Sequence, residues 1–403
     1  MVSPCHPPRP FLSAATGGFA LPTVSQRMPR IVADCIADCP ALRAPLSALI
    51  DDLADATRPL RPIADDADGD AVQWNAALND FFPGATFHTA SWLFVECYMY
   101  RRIREAQLHA GHPDPFRARK QNVVVEHRER VARILADRDD PHDDDLRQLL
   151  TASLWGNAVD LSLAAGMAAD DRHALLHGPN GGIVVDDRDS VCDYIRGRMA
   201  RGAVVDIVLD NSGLELLCDL RLADYLIRNA HAGRVVLHCK TIPWFVSDAT
   251  VEDVDWLLEQ VAETAPGKRW RSYLKSGVWT LQTHPFWCTW WSHHHIHDAA
   301  PDLWEQLRAS SLVIFKGDLN YRKLVYDCAW DPDTPFSTAI GPLWALSGPP
   351  IVALRTNKSD PCVGLKAGQA TALDADEPDW RCSGKHAVVH FWSPRCQPTC
   401  PGE

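Results

Sequence analysis

The sequence of 403 residues predicts an α/β protein, in which a mostly helical N-terminal domain precedes a doubly wound α/β/α layer domain. Helical patterns prevail from about residue 25 to 180. After about residue 200, short apolar runs rich in β-branched residues recur, as expected of strands that are covered on both faces. The first of these runs is followed at once by a helical stretch, which indicates a right-handed strand–helix–strand crossover.

The helical half contains one long packed helix. Residues 90–109 are apolar on one side and end in charged residues. Residues 136–145 are nearly all charged and are predicted to form a solvent-exposed turn. The predicted division of the chain is a disordered tail at 1–20, the helical domain at 21–195, the α/β domain at 196–392 and a flexible tail at 393–403.

Five strands are predicted in the second half. Each is a short apolar run that is continuous rather than alternating. The runs are 203–209, 234–238, 311–315, 351–354 and 387–391. In doubly wound sheets, ligands bind at the carboxyl ends of the strands, so the residues that follow these runs are the candidates for a functional site.

Composition narrows the class of protein. A hydrophobic fraction of 46% and a charged fraction of 23% are normal for a globular protein. The net charge of −12 argues against a nucleic-acid partner, which would require a basic face. No apolar run is long enough to cross a membrane, and the 13 scattered cysteines do not form a secreted disulfide framework. We expect a cytoplasmic protein without membrane or nucleic-acid partners.

Oxygen-bearing side chains follow the first two strands. Asp210 and Asn211 come directly after the first strand, and Asp248 ends the segment that follows the second. Carboxylate and amide oxygens are hard ligands that suit Mg²⁺ or Mn²⁺. Each of these residues is also a favoured helix cap, which is the alternative interpretation. Three ligands at neighbouring strand ends favour a divalent-metal site.

Cations and polar groups follow the next two strands. Such groups at a strand end suit a bound anion. After the third strand they are Lys316, Asp318, Asn320, Arg322 and Lys323, and after the fourth they are Arg355, Thr356, Asn357 and Lys358. Because four strand ends carry ligands or cations, a phosphate-binding site is favoured over four separate surface turns.

The same segments carry a family resemblance. DNSGLE (210–215), PWFVSD (243–248), FKGDLNYRKL (315–324) and RTNK (355–358) together resemble the motifs of the damage-control phosphatase family, and RTNK is similar to the signature of its sugar-phosphate subfamily. WLFVECYMYRRI (92–103), LWGNAVDLSL (154–163) and GLKAGQA (364–370) extend the resemblance over roughly residues 20 to 392.

The resemblance implies a set of functional residues. It implies metal ligation by Asp210, Asn211 and Asp248, with Asp210, Asp248 and Lys358 as catalytic residues. It also implies substrate contacts from Asp210, Asn211, Asp318, Leu319, Asn320, Tyr321, Arg322 and Lys358. Glu215, together with Asp248, matches a possible methyl-donor site.

The resemblance further implies an activity. It implies a divalent-metal-dependent phosphatase, with Mn²⁺ expected and Ni²⁺, Co²⁺ or Mg²⁺ as alternatives. Small phosphorylated metabolites such as fructose 1-phosphate and fructose 6-phosphate are the expected substrates. The alternative is an S-adenosylmethionine-dependent protein carboxyl (glutamate) methyltransferase, although no glycine-rich loop follows the first strand. The histidine-rich residues 293–297 are expected to form a surface loop or a substrate lid.

Overall fold

The computed structural model describes residues 12–135, 144–156 and 182–394. Within these residues the strands form one seven-stranded sheet. The strands are β1 (Gly182–Asp186), β2 (Val204–Val208), β3 (Arg234–Cys239), β4 (Trp279–Thr283), β5 (Leu312–Lys316), β6 (Ile351–Thr356) and β7 (His386–Trp392).

The order of the strands creates a switch point in the middle of the sheet. The order is β1-β7-β6-β5-β2-β3-β4. The five strands from β6 to β4 are parallel, whereas β7 is antiparallel to β6 and parallel to β1. From β2 the chain proceeds outward to β3 and β4, and then returns to the other side of β2 to form β5. The crevice between the carboxyl ends of β2 and β5 is therefore the position at which such sheets bind ligands.

Helices surround this sheet. The longer helices of the N-terminal half are Met28–Asp38, Arg43–Ala54, Ala71–Asp80, Trp92–His109, Arg117–Glu126, Arg128–Ile134 and Asp144–Trp155. Those that follow β1 are Arg188–Gly197, Leu214–Arg228, Val251–Gln260, Ala265–Ser276, Pro301–Arg308, Gly317–Leu324 and Gln369–Asp376. Short helical turns, such as Pro285–Cys288, His293–His295 and Phe336–Ala339, lie between them.

Both faces of the sheet are covered, which confirms the predicted α/β/α layers. Along β5, Ile314 packs into the hydrophobic core on one face, and Val313 and Phe315 pack into the core on the other. A third core joins the N-terminal helices to the carboxyl edge of the sheet, where it receives Trp244 and Leu319. The helical half therefore lies against the edge at which the candidate site residues were predicted.

The five predicted strands are confirmed as β2, β3, β5, β6 and β7. The sequence analysis missed β1 and β4, which are the two edge strands of the sheet. Both are largely half-buried, and β4 (WTLQT) includes polar residues, so neither forms the continuous apolar run used to find the others. The sheet consequently begins before residue 196, where the α/β domain was expected to start.

The N-terminal segment differs from the expected tail. Residues 12–20 are packed: the Trp92 N–H donates to the Leu12 carbonyl at 2.7 Å, and the Phe19 N–H donates to Asp360 Oδ2 at 2.9 Å. Leu12, Ala14 and Ala20 are buried. A segment rich in small residues shows no clear periodicity, so these long-range contacts had no local signal.

Several predictions fall where the structure gives no description. These are the tail at residues 1–11 and 395–403, most of the charged turn at 136–145, and residues 157–163 of the motif at 154–163. Among the described residues, no helix is both long enough and apolar enough to cross a membrane.

Candidate active site

The turns after β2 and β3 are tied together by main-chain hydrogen bonds. The Ala249 N–H donates to the Asp210 carbonyl at 2.8 Å, and Asn211 and Asp248 form an antiparallel bridge. Asp210, Asn211 and Asp248 are all buried. The structure therefore brings the three predicted metal ligands to the carboxyl edge of adjacent strands.

The segment before Asp248 has an unusual backbone. Phe245 and Val246 have positive φ angles of 45° and 66°, a region that residues other than glycine rarely adopt. Such strain costs about 1–3 kcal/mol per residue and persists only where the surrounding contacts enforce it. Here the Asp248 N–H donates to the carbonyl of Trp244, which is buried in the helical core. The strained turn presents Ser247 and Asp248 to the β2 turn.

The two carboxylates share a buried, electronegative position. Burial raises the pKa of Asp210 well above its ordinary value, and the nearby negative charges of Asp248 and Glu215 raise it further. Burial also raises the pKa of Asp248, although the positive charge of Lys240 opposes this. The Lys240 Nζ lies 3.0 Å from Asp248 Oδ2 and donates to the Leu209 carbonyl at 2.7 Å. Lys240 is thus the buried cation in direct contact with Asp248, and the charges of buried Lys120 and Lys323 also lower the pKa of Asp248.

The donor set is suited to a hard divalent cation. Among residues 12–135, 144–156 and 182–394, no three His, Cys, Asp or Glu side chains converge to hold a metal ion by themselves. The predicted set has two carboxylates and takes its third oxygen from the amide of Asn211. Because Lys240 supplies a single positive charge, a bound divalent cation would relieve the remaining repulsion. The residues fit such an ion.

Gly317 brings the end of β5 into contact with the end of β2. Its φ is +82°, and a Cβ at this position would lie 1.9 Å from Asp210 Oδ2. Only glycine can therefore occupy it. The helix Gly317–Leu324 begins here, and the N–H groups of its first turn have no partners within the helix. The positive end of this helix therefore lies next to Asp210, where an anion would be stabilised.

Lys358 is a cation that forms no ion pair with the residues at 12–135, 144–156 and 182–394. It follows β6 and is half-buried. Its positive charge lowers the pKa of Asp210, so its ammonium group lies within electrostatic reach of the carboxylates. Among the described residues, Lys358 has no ion pair. It is consequently available to bind an anionic ligand.

Asp318 and Arg355 connect the ends of β5 and β6. Asp318 Oδ1 accepts hydrogen bonds from Arg355 Nε at 2.7 Å, from Ser359 Oγ at 2.9 Å and from the Lys358 N–H at 3.2 Å. Burial would raise the pKa of Asp318, but the charges of Arg355 and Arg322 outweigh this and lower it. Asp318 therefore shapes the turn that carries Lys358.

Arg322 is engaged with protein carboxylates. Its guanidinium donates to both oxygens of Asp327, at 2.8 and 3.0 Å, and to Glu96 Oε2 at 2.6 Å, and it stacks 3.8 Å from the centre of the Trp92 ring. Arg322 is buried. The side chain predicted to contact phosphate is thus committed to a contact between the helical half and the sheet, and its substrate role stays a prediction.

The side chains of Leu319, Asn320 and Tyr321 are also buried in the protein. Leu319 packs into the helical core, and Asn320 Nδ2 donates to the Lys316 carbonyl at 2.8 Å. The hydroxyl of Tyr321 accepts a hydrogen bond from the Val363 N–H at 3.2 Å. If this segment binds a substrate, its main-chain N–H groups are better placed to do so than these side chains.

Sequence reasoning missed two residues that contact the candidate ligands, Ser247 and Lys240, and it assigned Lys316 to a bound anion rather than to a protein carboxylate. Ser247 Oγ donates to Asn211 Oδ1, Lys240 pairs with Asp248, and Lys316 pairs with Glu215 at 3.0 Å. A signal did exist for the two lysines. Each follows or ends an apolar strand run, where a buried ammonium group needs a carboxylate partner.

The histidine-rich segment does not form the expected surface loop. His293 is buried, and His294 Nε2 lies 3.0 Å from the carbonyl oxygens of both Leu324 and Ala339, so this nitrogen must carry the hydrogen. Burial lowers the pKa of His294 to about 4. The segment packs against the last residues of the helix Gly317–Leu324, with His293 buried and His294 and His295 half-buried.

Comparison with known proteins shows which family this chain resembles. Residues 23–373 match the family model described as the damage-control phosphatase ARMT1-like domain. The chain is 34% identical to damage-control phosphatase ARMT1 of Danio rerio, over 96% of this chain and 98% of that protein. It is 36% identical to the Homo sapiens protein of the same name, over 79% and 78%. A solved DUF89 family protein from Pyrococcus horikoshii has a TM-score of 0.47 at 15% identity, covering 91% of this chain and 95% of that chain.

Proposed function

The chain belongs to the ARMT1-like damage-control phosphatase family, and from that premise we propose that it is a metal-dependent phosphatase of small phosphorylated metabolites. Fructose 1-phosphate and fructose 6-phosphate are the substrates we propose to test first. The observation that supports the proposal is the grouping at the β2–β5 switch point of two buried carboxylates, the first turn of a helix and the Lys358 cation, which has no ion pair within the described part of the chain.

Asp210, Asp248 and the amide oxygen of Asn211 would hold the metal ion. A divalent cation bound there, with Mn²⁺ proposed ahead of Ni²⁺, Co²⁺ or Mg²⁺, would withdraw charge from the phosphoryl oxygens. Burial of the carboxylates in a low-dielectric position strengthens every charge interaction at this point. The excess negative charge of Asp210 and Asp248 also explains why a phosphate would not bind without a cation.

The chain itself would hold the phosphate through two elements. The N–H groups in the first turn of the helix Gly317–Leu324 point away from the helix toward the switch point and suit phosphate oxygens. The ammonium group of Lys358 would neutralise charge that develops on the phosphoryl group. Asp318, which fixes the turn of Lys358, would act by positioning it.

The alternative activity has less support. A methyl-donor site at Glu215 would require an accessible carboxylate, whereas Glu215 is only 4% exposed and pairs with Lys316. Methyl transfer therefore remains an alternative that rests on the resemblance alone.

The direct test measures phosphate release from a panel of ketose and aldose phosphates. Wild-type protein is assayed with Mn²⁺, with other divalent ions and after exhaustive chelation, beside Asp248→Asn and the control Asp255→Asn, in which an exposed carboxylate is lost. We expect activity only with metal, and a loss on the order of a hundredfold or more in Asp248→Asn, because metal stabilisation of transition-state charge contributes several kcal/mol.

Two outcomes would overturn the proposal. One is full activity in chelated protein, and the other is an Asp248→Asn variant that matches the control. A methyl-transfer assay on the same samples tests the alternative, which predicts turnover that needs no divalent metal.

A further inference from the structure

The side chain of Asn211 lies between two carboxylates. Its Nδ2 is 2.7 Å from Asp210 Oδ2 and 2.8 Å from Glu215 Oε2, so each amide hydrogen has its own acceptor. Its Oδ1 accepts a hydrogen bond from Ser247 Oγ. An amide oxygen has two lone pairs, so one remains available beside the serine contact.

Glu215 is itself held by a buried cation. Its Oε1 lies 3.0 Å from Lys316 Nζ, which also lies 3.0 Å from Asp219 Oδ1 and donates to the Ser153 carbonyl at 2.6 Å. Ser153 Oγ donates to Asp219 Oδ1 at 2.5 Å. All four residues are buried. This network connects the helix Asp144–Trp155 to the candidate metal ligand.

Close packing leaves Glu215 little freedom to serve another ligand. A Cβ on Gly156 would lie 2.7 Å from the Glu215 Cα, so the helix Asp144–Trp155 ends in direct contact with the main chain at Glu215. The carboxylate is therefore enclosed by Asn211 on one side and by Lys316 on the other.

We propose that Glu215, whose other oxygen pairs with Lys316, is a positioning residue that fixes the amide of Asn211 in one of its two orientations. The two Glu215 oxygens face Lys316 Nζ and Asn211 Nδ2, and both of these nitrogens are hydrogen-bond donors. A rotation of the amide by half a turn would place Oδ1 against the oxygens of Glu215 and Asp210. The observed orientation keeps Asn211 Nδ2 away from the proposed metal position and leaves Asn211 Oδ1 as the atom that would bind a hard cation. This inference rests on the proposed metal site.

The substitution Glu215→Gln tests this mechanism with little change in shape. A glutamine presents either an oxygen or an NH₂ group, so it accepts both orientations of the Asn211 amide. We expect the Mn²⁺ dissociation constant to rise by about ten- to a hundredfold, the usual effect of removing an outer partner of a metal ligand. The control is Glu259→Gln, which makes the same change at an exposed position.

A rescue experiment separates orientation from general damage. In Asn211→Asp/Glu215→Gln, either oxygen of the new aspartate can bind the cation, so its orientation no longer matters. We expect this double variant to bind Mn²⁺ at least tenfold more tightly than Glu215→Gln alone. The reference is Asn211→Asp alone: a purely structural role of Glu215 predicts the same gain in affinity from the added carboxylate in both backgrounds, whereas the orientation role predicts a smaller gain when Glu215 is present.

The measurement is Mn²⁺ binding by calorimetry and by the electron paramagnetic resonance signal of free Mn²⁺, with melting curves of the metal-free proteins. Wild-type affinity in Glu215→Gln, or a double variant as weak as the single one, overturns the inference. If wild-type protein does not bind Mn²⁺, the proposed function fails instead, so the two failures are distinguishable.

A second measurement applies if Glu215→Gln does not fold. A neutron structure of the wild-type protein locates the deuterium atoms on Asn211 and Glu215. Two deuterium atoms on the Asn211 atom next to Glu215 support the proposal. A deuterium atom on the Glu215 carboxyl group, directed at an Asn211 oxygen, overturns it.

Discussion

At the scale of single residues, Lys358 and Arg322 show that two cations with the same predicted role can have different surroundings. Both are cations in segments predicted to bind phosphate. Arg322 is enclosed by Glu96, Asp327 and the ring of Trp92, whereas Lys358 has no ion pair among the described residues. A buried guanidinium with several partners stabilises the fold, while a half-buried ammonium group without one is free to meet a ligand.

We predict that Lys358→Met lowers kcat/KM for phosphate esters by roughly ten- to a hundredfold, the effect of losing one charged hydrogen bond. Its melting temperature should stay close to that of wild type, because the Lys358 ammonium group has no ion pair among the residues that the structure describes. The control is Lys366→Met, at an exposed position in the chain segment that follows. Equal kcat/KM in the two variants would exclude Lys358 from the site.

For Arg322→Lys we predict a loss of stability. Lysine cannot reproduce the paired donation to Asp327 together with the contact to Glu96. Each charged hydrogen bond lost costs about 1.5–3 kcal/mol, measured as the free energy of unfolding of metal-free protein in urea. The exposed Arg117→Lys serves as the control. Unchanged stability with a uniform fall in kcat/KM would instead support the phosphate contact predicted from sequence.

At the scale of elements, the turns after the strands determine the site more than the strands do. β2 and β5 pair through ordinary parallel register, but the ligands project from the segments that follow. Two of these segments have a special backbone: Phe245 and Val246 in the β3 turn, and Gly317 after β5. Both bring polar groups close to Asp210 or Asn211.

We predict that Gly317→Ala abolishes Mn²⁺ binding and lowers the melting temperature, because the new Cβ would overlap the Asp210 carboxylate. Gly368→Ala is a matched control. Gly368 also has a positive φ, of 79°, and also precedes or begins a helix, yet a Cβ there meets nothing within 4 Å. In the control, the free energy of unfolding should therefore fall only by the cost of a positive φ at alanine, about 1 kcal/mol. Similar metal affinity in both variants would contradict the close approach at Gly317.

The elements also show what local sequence can and cannot predict. Strands buried on both faces, such as β2 and β5, have continuous apolar runs and were predicted. Edge strands, such as β1 and β4, lack that signal. The positions of Asp210 and Asp248 follow from strand ends and parallel pairing. The partners of Arg322 and Lys316 do not, since Glu96 and Ser153 come from distant helices whose docking has no local pattern.

At the scale of the whole molecule, the proposed metal would join parts of the chain that are far apart in sequence. Asp210 and Asp248 belong to the sheet, and their turns pack against the N-terminal helices through Trp244. A ligand that binds only the folded state stabilises it by mass action, by about 2.7 kcal/mol when its concentration is a hundred times the dissociation constant.

We therefore predict that saturating Mn²⁺ raises the melting temperature of the full chain by roughly 3 °C, since an unfolding entropy of about 2.1 cal/mol/K per residue gives about 1.2 °C per kcal/mol for 403 residues. Calorimetric or fluorescence melting curves provide the measurement. Asp248→Asn should show almost no shift, whereas Asp255→Asn should behave as wild type. A shift of the same size in Asp248→Asn would place the stabilising ion elsewhere.

The strand order also affects how the chain is made. β2 lies at the middle of the sheet, but one of its neighbours, β5, is synthesised roughly a hundred residues after it. During translation the β2–β3–β4 unit therefore has an unpaired, apolar edge at β2 until β5 arrives. Asp210 follows the carboxyl end of β2. A nascent chain that stops before β5 would therefore have an incomplete candidate site and an exposed strand that can aggregate. Completion of the sheet and completion of the candidate site thus depend on the same late pairing of β5 with β2.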